Sequence, residues 1–271
     1  MSRISKTTAS LKAQGKKALI PYIVAGDPSV SITVSLMHTL VDSGADIIEL
    51  GMPFSDPSSD GAIIQLGAER ALRAGTTLTD VFAIVKEFRQ RNQDTPVVLM
   101  GYLNPIEYMG YEAFGTALQE AEVDGVLIVD LPVYEYKELF AALRPKDIDT
   151  IFLVAPTTTD ERLDSICSHC TGYLYYVSLK GVTGAAISDT GAIATKIEQL
   201  RNITPLPIVV GFGIKDTESA RKMAAISDGV IVGSALVDSI SHLSAGNSYT
   251  PEELGDTVSV ISEIREAINA L

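Results

Sequence analysis

Short apolar, β-branched runs recur along this chain, at 19–24, 46–50, 97–101, 125–129, 150–154, 173–177, 208–211 and 229–232. Helix-like segments lie between them, among them 31–43, 81–91, 113–121, 133–143 and 217–225. Runs this short read as strands, and their alternation with helices implies parallel strands joined by right-handed crossovers. No linker, low-complexity tract or shift of composition interrupts the pattern. Eight such units in 271 residues have the size of a (β/α)8 TIM barrel, with 1–271 as a single domain. A doubly wound α/β sheet shows the same alternation but more often stops at about five to seven strands, so the count favours the barrel.

Two additions to the plain barrel are expected. Ile4 and Leu11, one heptad apart, fit a short amphipathic helix ahead of the first strand. The second run reaches the third through an inserted loop and helix, 61–74, before its regular helix. The chain should end on a helix with Thr250 as N-cap, Pro251 at its first position and Glu253 closing a capping box. Its apolar face would run through Val258, Ile261, Ile264, Ile268 and Leu271.

Composition narrows the function. The net charge of −13 would repel a phosphate backbone, so a nucleic-acid partner is not expected. No apolar stretch approaches the ~20 residues of a membrane span. The first 26 residues hold bases (Arg3, Lys6, Lys12, Lys16, Lys17) and no acid. They form neither an Arg-rich amphipathic run nor a secretory segment, so they read as part of the fold of a cytoplasmic protein. Cys167, His169 and Cys170 cluster, but His38 and His242 are far away in sequence. No metal site is expected there; two reduced thiols near a helix end are.

Glu49 ends the apolar pair Ile47-Ile48 and is followed by Gly51-Met52-Pro53. A carboxylate at a strand exit either partners a core base or does chemistry, and in a barrel that exit is where active sites lie. The next loop, 53–61, adds further acids, Asp60 among them. Two carboxylates in different surroundings can have separated pKa values and divide acid and base work. Glycines also gather after the last three runs, as Gly181-Val182-Thr183-Gly184, Gly211-Phe212-Gly213 and Gly233-Ser234. Barrel loops in those places commonly cradle phosphate on backbone N–H groups. Ser234 is also placed to cap a helix beginning at Ala235, and 179–191 has the composition of a lid.

These residues resemble a known family, the tryptophan synthase α subunits, and the resemblance runs from about Ile4 to Leu271. It is carried by Ile20-Pro21-Tyr22-Ile23-Val24-Ala25-Gly26-Asp27-Pro28 and by Ile48-Glu49-Leu50-Gly51-Met52-Pro53-Phe54-Ser55-Asp56-Pro57. It continues through Asp60-Gly61, Met100-Gly101-Tyr102-Leu103-Asn104-Pro105, Asp130-Leu131-Pro132, Gly181-Val182-Thr183-Gly184 and Gly211-Phe212-Gly213-Ile214. The resemblance implies retro-aldol cleavage of indole-3-glycerol phosphate to indole and glyceraldehyde 3-phosphate, without a cofactor on this chain. It places the general acid/base at Glu49, and at Asp60 the carboxylate that accepts from the indole N–H.

By the same resemblance, Tyr22, Ile64, Met100, Tyr102, Leu127, Val129, Leu153 and Phe212 would line the indole pocket. For the apolar members, plain barrel packing is an equal alternative. Tyr175 would stand near the glycerol moiety, and Thr183 would hold Asp60 when the lid closes. Gly184, Gly213, Gly233 and Ser234 would bind the phosphate. The expected partner is a β subunit carrying pyridoxal phosphate in an αββα heterotetramer, docking near Asn104, Pro105, Asp130, Leu131 and Pro132. Asp130 is also the substitute acid should Glu49 be structural.

Two departures from the family pattern stand out. Ser178-Leu179-Lys180 lacks an arginine often found there, and Ser58-Ser59 replaces a more apolar pair. Other readings remain: a free-standing indole-releasing lyase, a non-catalytic regulatory subunit, or another sugar-phosphate barrel enzyme.

Overall fold

The computed structural model describes residues 1–177, 190–211, 213–246 and 248–271. Among these, nine parallel strands form one sheet. They are β1 (Ala18–Val24), β2 (Ile48–Gly51), β3 (Val97–Gly101), β4 (Gly125–Ile128), β5 (Asp149–Thr150), β6 (Phe152–Val154), β7 (Leu174–Val177), β8 (Ile208–Gly211) and β9 (Gly229–Val232). Their order is β5-β4-β3-β2-β1-β9-β8-β7-β6. The two ends of that order, β5 and β6, are separated in the chain by Ile151 alone, so the sheet rolls into a barrel. The Ile151 N–H still donates to the Val126 carbonyl at 2.9 Å. The fifth apolar run is therefore one staff of the barrel, whose ladder partner changes from β4 to β7 at Ile151.

Register decides what faces inward. Tyr22 lies beside Glu49, and Glu49 beside Val98. The period of two sends Ile20, Tyr22, Val98, Met100, Leu127, Ile151, Tyr173, Tyr175, Val209 and Ile231 to an inner cluster. The alternate residues, such as Leu19, Ile23, Leu50, Leu99 and Val210, pack outward against the helices. Two glycines keep the inner layer open for tyrosine rings. A Cβ on Gly51 would stand 2.2 Å from the Tyr22 hydroxyl, and one on Gly211 would stand 2.1 Å from that of Tyr175.

The N-terminal helix, Arg3–Ala13, forms as expected, with the Ser2 hydroxyl accepting from the Ser5 N–H at 3.2 Å. Its Ile4 is fully buried in the inner cluster and closes the floor of the barrel. Burial of one such side chain contributes about 1.5–3 kcal/mol. The inserted helix is also present, as Ala62–Arg73. Arg70 on it forks onto Asp27, at 2.8 Å to each carboxylate oxygen, tying the insertion to the exit of β1.

Several expectations need correction. The terminal helix is two, Pro251–Thr257 with its capping box and Ser259–Asn269, because Val258 at φ −103° and ψ 14° leaves helical geometry. The apolar face holds through Ile268, but Leu271 lies past the end and is 54% exposed. Segment 133–143 is helical only over Lys137–Leu143, because the Glu135 N–H turns back to the Pro132 carbonyl. Ser234 does not cap its helix: it is the first helical residue of Ser234–Ile240, and Gly233 holds the cap position.

Helices Leu103–Met109, Asp160–His169 and Thr190–Ile203 complete the loops that the periodicity left blank. Cys167 and Cys170 are free thiols at the end of the second of these. Among the described residues no cluster suits a metal ion, and no helix is long and apolar enough to cross a membrane.

Candidate active site

Parallel strands put all their C-terminal ends on one rim, and the site is built there. Glu49 is the second residue of β2, faces inward and is fully buried. The Tyr173 hydroxyl, just ahead of β7 and across the barrel, donates to Glu49 Oε1 at 2.5 Å. Oε2 has no hydrogen-bond partner among the described residues. Burial disfavours the ionised form and pushes the Glu49 carboxyl up to about 7, although the Tyr173 hydrogen bond pulls the other way. Glu49 thus holds its proton to a higher pH than an ordinary glutamate does. Among the described residues no base pairs with it, which speaks against the core ion-pair alternative.

Asp60 sits on the loop between β2 and the inserted helix. Its N–H bonds the Pro57 carbonyl at 3.1 Å, and Gln65 Nε2 donates to its carbonyl at 2.7 Å. Tyr102, at the exit of β3, clamps the same loop. Its hydroxyl accepts from the Ser59 N–H at 3.1 Å and is hydrogen-bonded to the Asp60 carboxylate. Burial raises the Asp60 carboxyl to about 6, against the Tyr102 bond that lowers it. Asp60 starts from the lower ordinary value and is less deeply buried, so it stays below Glu49. Burial thus raises both carboxyls and raises Glu49 to the higher value, the order that a protonated Glu49 beside an ionised Asp60 needs.

Both carboxylates line a cavity of about 770 Å³, with Tyr22, Ile64, Met100 and Tyr175 on its walls. That volume suits a small aromatic phosphate. Burial first, then the neighbouring carboxylates, push the Tyr22 and Tyr175 phenols well above their ordinary range, so both remain hydrogen-bond donors. At the far side the cavity meets Gly213 after β8 and Gly233-Ser234 after β9. Gly213 has φ +77°, a backbone conformation that suits glycine, and it turns the loop close to the opening. The Leu236 N–H donates to the Gly233 carbonyl at 2.9 Å, while the N–H groups of Ser234 and Ala235, ahead of it, have no acceptor within that helix.

The structure thus brings together Glu49, Asp60, Tyr22, Ile64, Met100, Tyr175, Gly213, Gly233 and Ser234. Tyr102 stands behind Asp60 as its clamp. Leu127 is buried in the inner cluster, and Val129 and Leu153 pack against it. Thr183, Gly184 and Phe212 lie outside the described residues. So does the expected lid except for Thr190 and Gly191, which open the helix Thr190–Ile203. Asp130 is exposed, and its carboxylate accepts from the Leu103 N–H at 2.8 Å, so it serves a helix start rather than the cavity.

Sequence reading passed over Tyr173, although it lies two residues before Tyr175 and so shares its face of the barrel. It also passed over Lys215 and Lys222, which line the cavity from the β8 loop and its helix.

Comparison with known proteins places these features in a family. A family model described as "Tryptophan synthase alpha chain" matches residues 8–266. The tryptophan synthase alpha chain of Marinobacter nauticus is 55% identical, over 100% of this chain and 99% of its own length. The crystal structure of tryptophan synthase subunit alpha from Legionella pneumophila superposes with a TM-score of 0.91 at 43% identity, covering 100% of both chains. A chain of the tryptophan synthase complex from Pyrococcus furiosus superposes at 0.79 with 38% identity, over 92% of this chain and 98% of that one.

Proposed function

This chain belongs to the tryptophan synthase alpha chain family, and from that premise we infer which of its groups carry the reaction. The family reaction is cleavage of indole-3-glycerol phosphate to indole and glyceraldehyde 3-phosphate, a carbon–carbon lyase step of tryptophan biosynthesis. We propose Glu49 as the general acid/base and Asp60 as the electrostatic partner, within one catalytic domain spanning 1–271. The observation that carries this reading is the fully buried Glu49 carboxyl, held through Oε1 by Tyr173 and unpaired at Oε2, in the wall of the cavity.

The chemistry follows from those surroundings. Neutral Glu49 delivers its proton to C3 of the indole ring, which leaves positive charge on the ring nitrogen. Asp60, ionised, accepts from the indole N–H and offsets that charge. Glu49, now a carboxylate, takes the proton from the glycerol hydroxyl. A carbonyl forms there, the carbon–carbon bond breaks, and its electron pair returns to the ring as indole. Tyr22, Ile64, Met100, Tyr102, Leu127, Val129, Leu153 and Phe212 form the indole pocket and its surround. Tyr175 faces the glycerol moiety. We assign the phosphate to the amides of Gly213, Gly233 and Ser234 and, by the family resemblance, of Gly184, with Thr183 as the partner of Asp60; Thr183 and Gly184 lie outside the described residues. Every step is proton transfer and charge stabilisation, so the reading asks no cofactor of this chain.

We further propose a pyridoxal-phosphate β subunit as partner in an αββα assembly, in the cytoplasm. Asn104, Asp130 and Pro132 are exposed beside the rim, and the Asp130–Leu103 bond joins the β3 and β4 loops into one surface. Tyr108 and Tyr134, on the same two segments, are 95% and 64% exposed. Large aromatics left in solvent on one surface support docking there.

The test is indole release from indole-3-glycerol phosphate by the purified chain, alone and with a β subunit. Slow release that β accelerates is the expected result. Fast release alone would indicate a free-standing lyase, and acceleration of β by a chain that releases no indole would indicate a regulatory subunit.

A further inference from the structure

The phosphate in this reading enters a cavity whose walls are acidic. Among the described residues four carboxylates line it, Asp60, Asp216, Glu218 and Asp238, beside the protonated Glu49 and against two lysines, Lys215 and Lys222. Backbone amides orient an anion but carry no net charge to balance it. A cation near the glycine rim would offset both the dianion and its acidic surroundings.

The two lysines differ in how far they are already engaged. Lys222 Nζ is held by Glu218 at 2.6 Å, one turn away on the helix Thr217–Ile226. Lys215 is exposed and makes no ion pair among the described residues. It stands two residues after Gly213 on the loop leaving β8. Its backbone N–H donates to Ser219 Oγ at 3.2 Å, which fixes where the side chain departs. The adjacent Asp216 is committed elsewhere: its carboxylate caps that helix, accepting from the Ser219 N–H at 2.8 Å and from the Ser219 hydroxyl at 2.7 Å.

We propose that Lys215 is a specificity-determining residue whose ammonium pairs with the substrate phosphate held at Gly213, Gly233 and Ser234. It selects the phosphorylated indole-glycerol over its unphosphorylated counterpart. This inference rests on the phosphate placement proposed above. Lys215 stands on the rim, apart from the proton transfers at Glu49, so it acts on affinity and leaves the bond-breaking step unchanged.

The experiment measures kcat and KM for indole-3-glycerol phosphate, and inhibition by glycerol 3-phosphate, in the full chain and in Lys215→Ala. The expected result is a rise of about three- to tenfold in both KM and the inhibition constant, with kcat unchanged. Raising salt to about 0.5 M should shrink the difference, because the pair is solvent-accessible. Lys215→Arg should restore affinity, and Lys222→Ala should shift it less. An inhibition constant unchanged in Lys215→Ala would overturn the proposal while leaving the phosphate placement intact. A wild-type chain that glycerol 3-phosphate does not inhibit would overturn that placement, and this inference with it.

Discussion

Tyr173 and Glu49 lie 124 residues apart in sequence, yet the phenol of one donates to the carboxyl of the other at 2.5 Å in the barrel interior. Strand order creates this contact: β2 and the β7 segment project side chains into one inner layer from opposite sides. The bond fixes Oε1 and leaves Oε2 as the one oxygen of Glu49 without a partner among the described residues. A single carboxyl oxygen is thereby aimed while the other is anchored.

Glu49→Gln keeps the shape of the side chain and can still accept from Tyr173, but it has no proton to exchange. Indole release should fall about 10²–10⁴-fold, with substrate KM within about threefold of wild type. Steady-state kinetics over a range of substrate concentrations checks both numbers. Near-normal turnover would sink the acid/base assignment.

Tyr173→Phe retains the ring and removes only the hydrogen bond. That bond favours the ionised form of Glu49, so its loss should raise the carboxyl further above about 7. The protonated acid then persists to higher pH. The limb of the pH–rate profile on which Glu49 must be protonated should move upward, while kcat falls because Oε2 is less well aimed. Profiles of kcat/KM against pH would show the shift; a limb that stays in place would mean that Tyr173 does not touch the titrating group.

How much of this was legible follows from which forces act locally. Seven of the eight apolar runs became single strands, because a period of two and turn-forming flanks are written in neighbouring residues. The fifth divided at Ile151 because its two halves pair with different neighbours, a property of barrel closure. Val258 broke the last helix in a stretch whose apolar period continues unbroken, so periodicity carries no sign of it. Glu49 stood out because an acid at the exit of an apolar strand is locally anomalous, whereas Asp60 was singled out among the acids of its loop only by the family resemblance. Tyr173 did not, because a tyrosine opening a strand is ordinary until its partner across the barrel is known. Lys215 and Lys222 were likewise invisible as site residues, since lysines around a helix start usually face solvent.

Gly213→Leu tests the phosphate rim. The glycine holds φ +77°, which costs an L-residue roughly 1–2 kcal/mol, and a leucine side chain there would crowd the opening. KM should rise at least about tenfold with a smaller change in kcat, the signature of lost ground-state binding. Thermal denaturation should show the backbone cost separately. An unchanged KM would move the phosphate elsewhere in the cavity.

Glu49 also costs the fold stability once it ionises. Its carboxyl is raised by burial from 4.5 to about 7, so between those values the folded chain holds a proton that the unfolded chain has released. Stability from this group is therefore present at low pH, declines as pH rises across that window, and is lost above about 7. The shift corresponds to a penalty on the order of 3 kcal/mol at alkaline pH. Glu49→Gln resembles the protonated state at every pH and escapes that penalty. The inactive variant should be more stable than wild type at pH 8 by a few kcal/mol, on the order the linkage gives, and equal to it near pH 4.5. Denaturant titrations of the two proteins at both pH values would test it. A variant no more stable than wild type at pH 8 would mean that the carboxyl ionises without cost, and that Glu49 is not held protonated for the reaction.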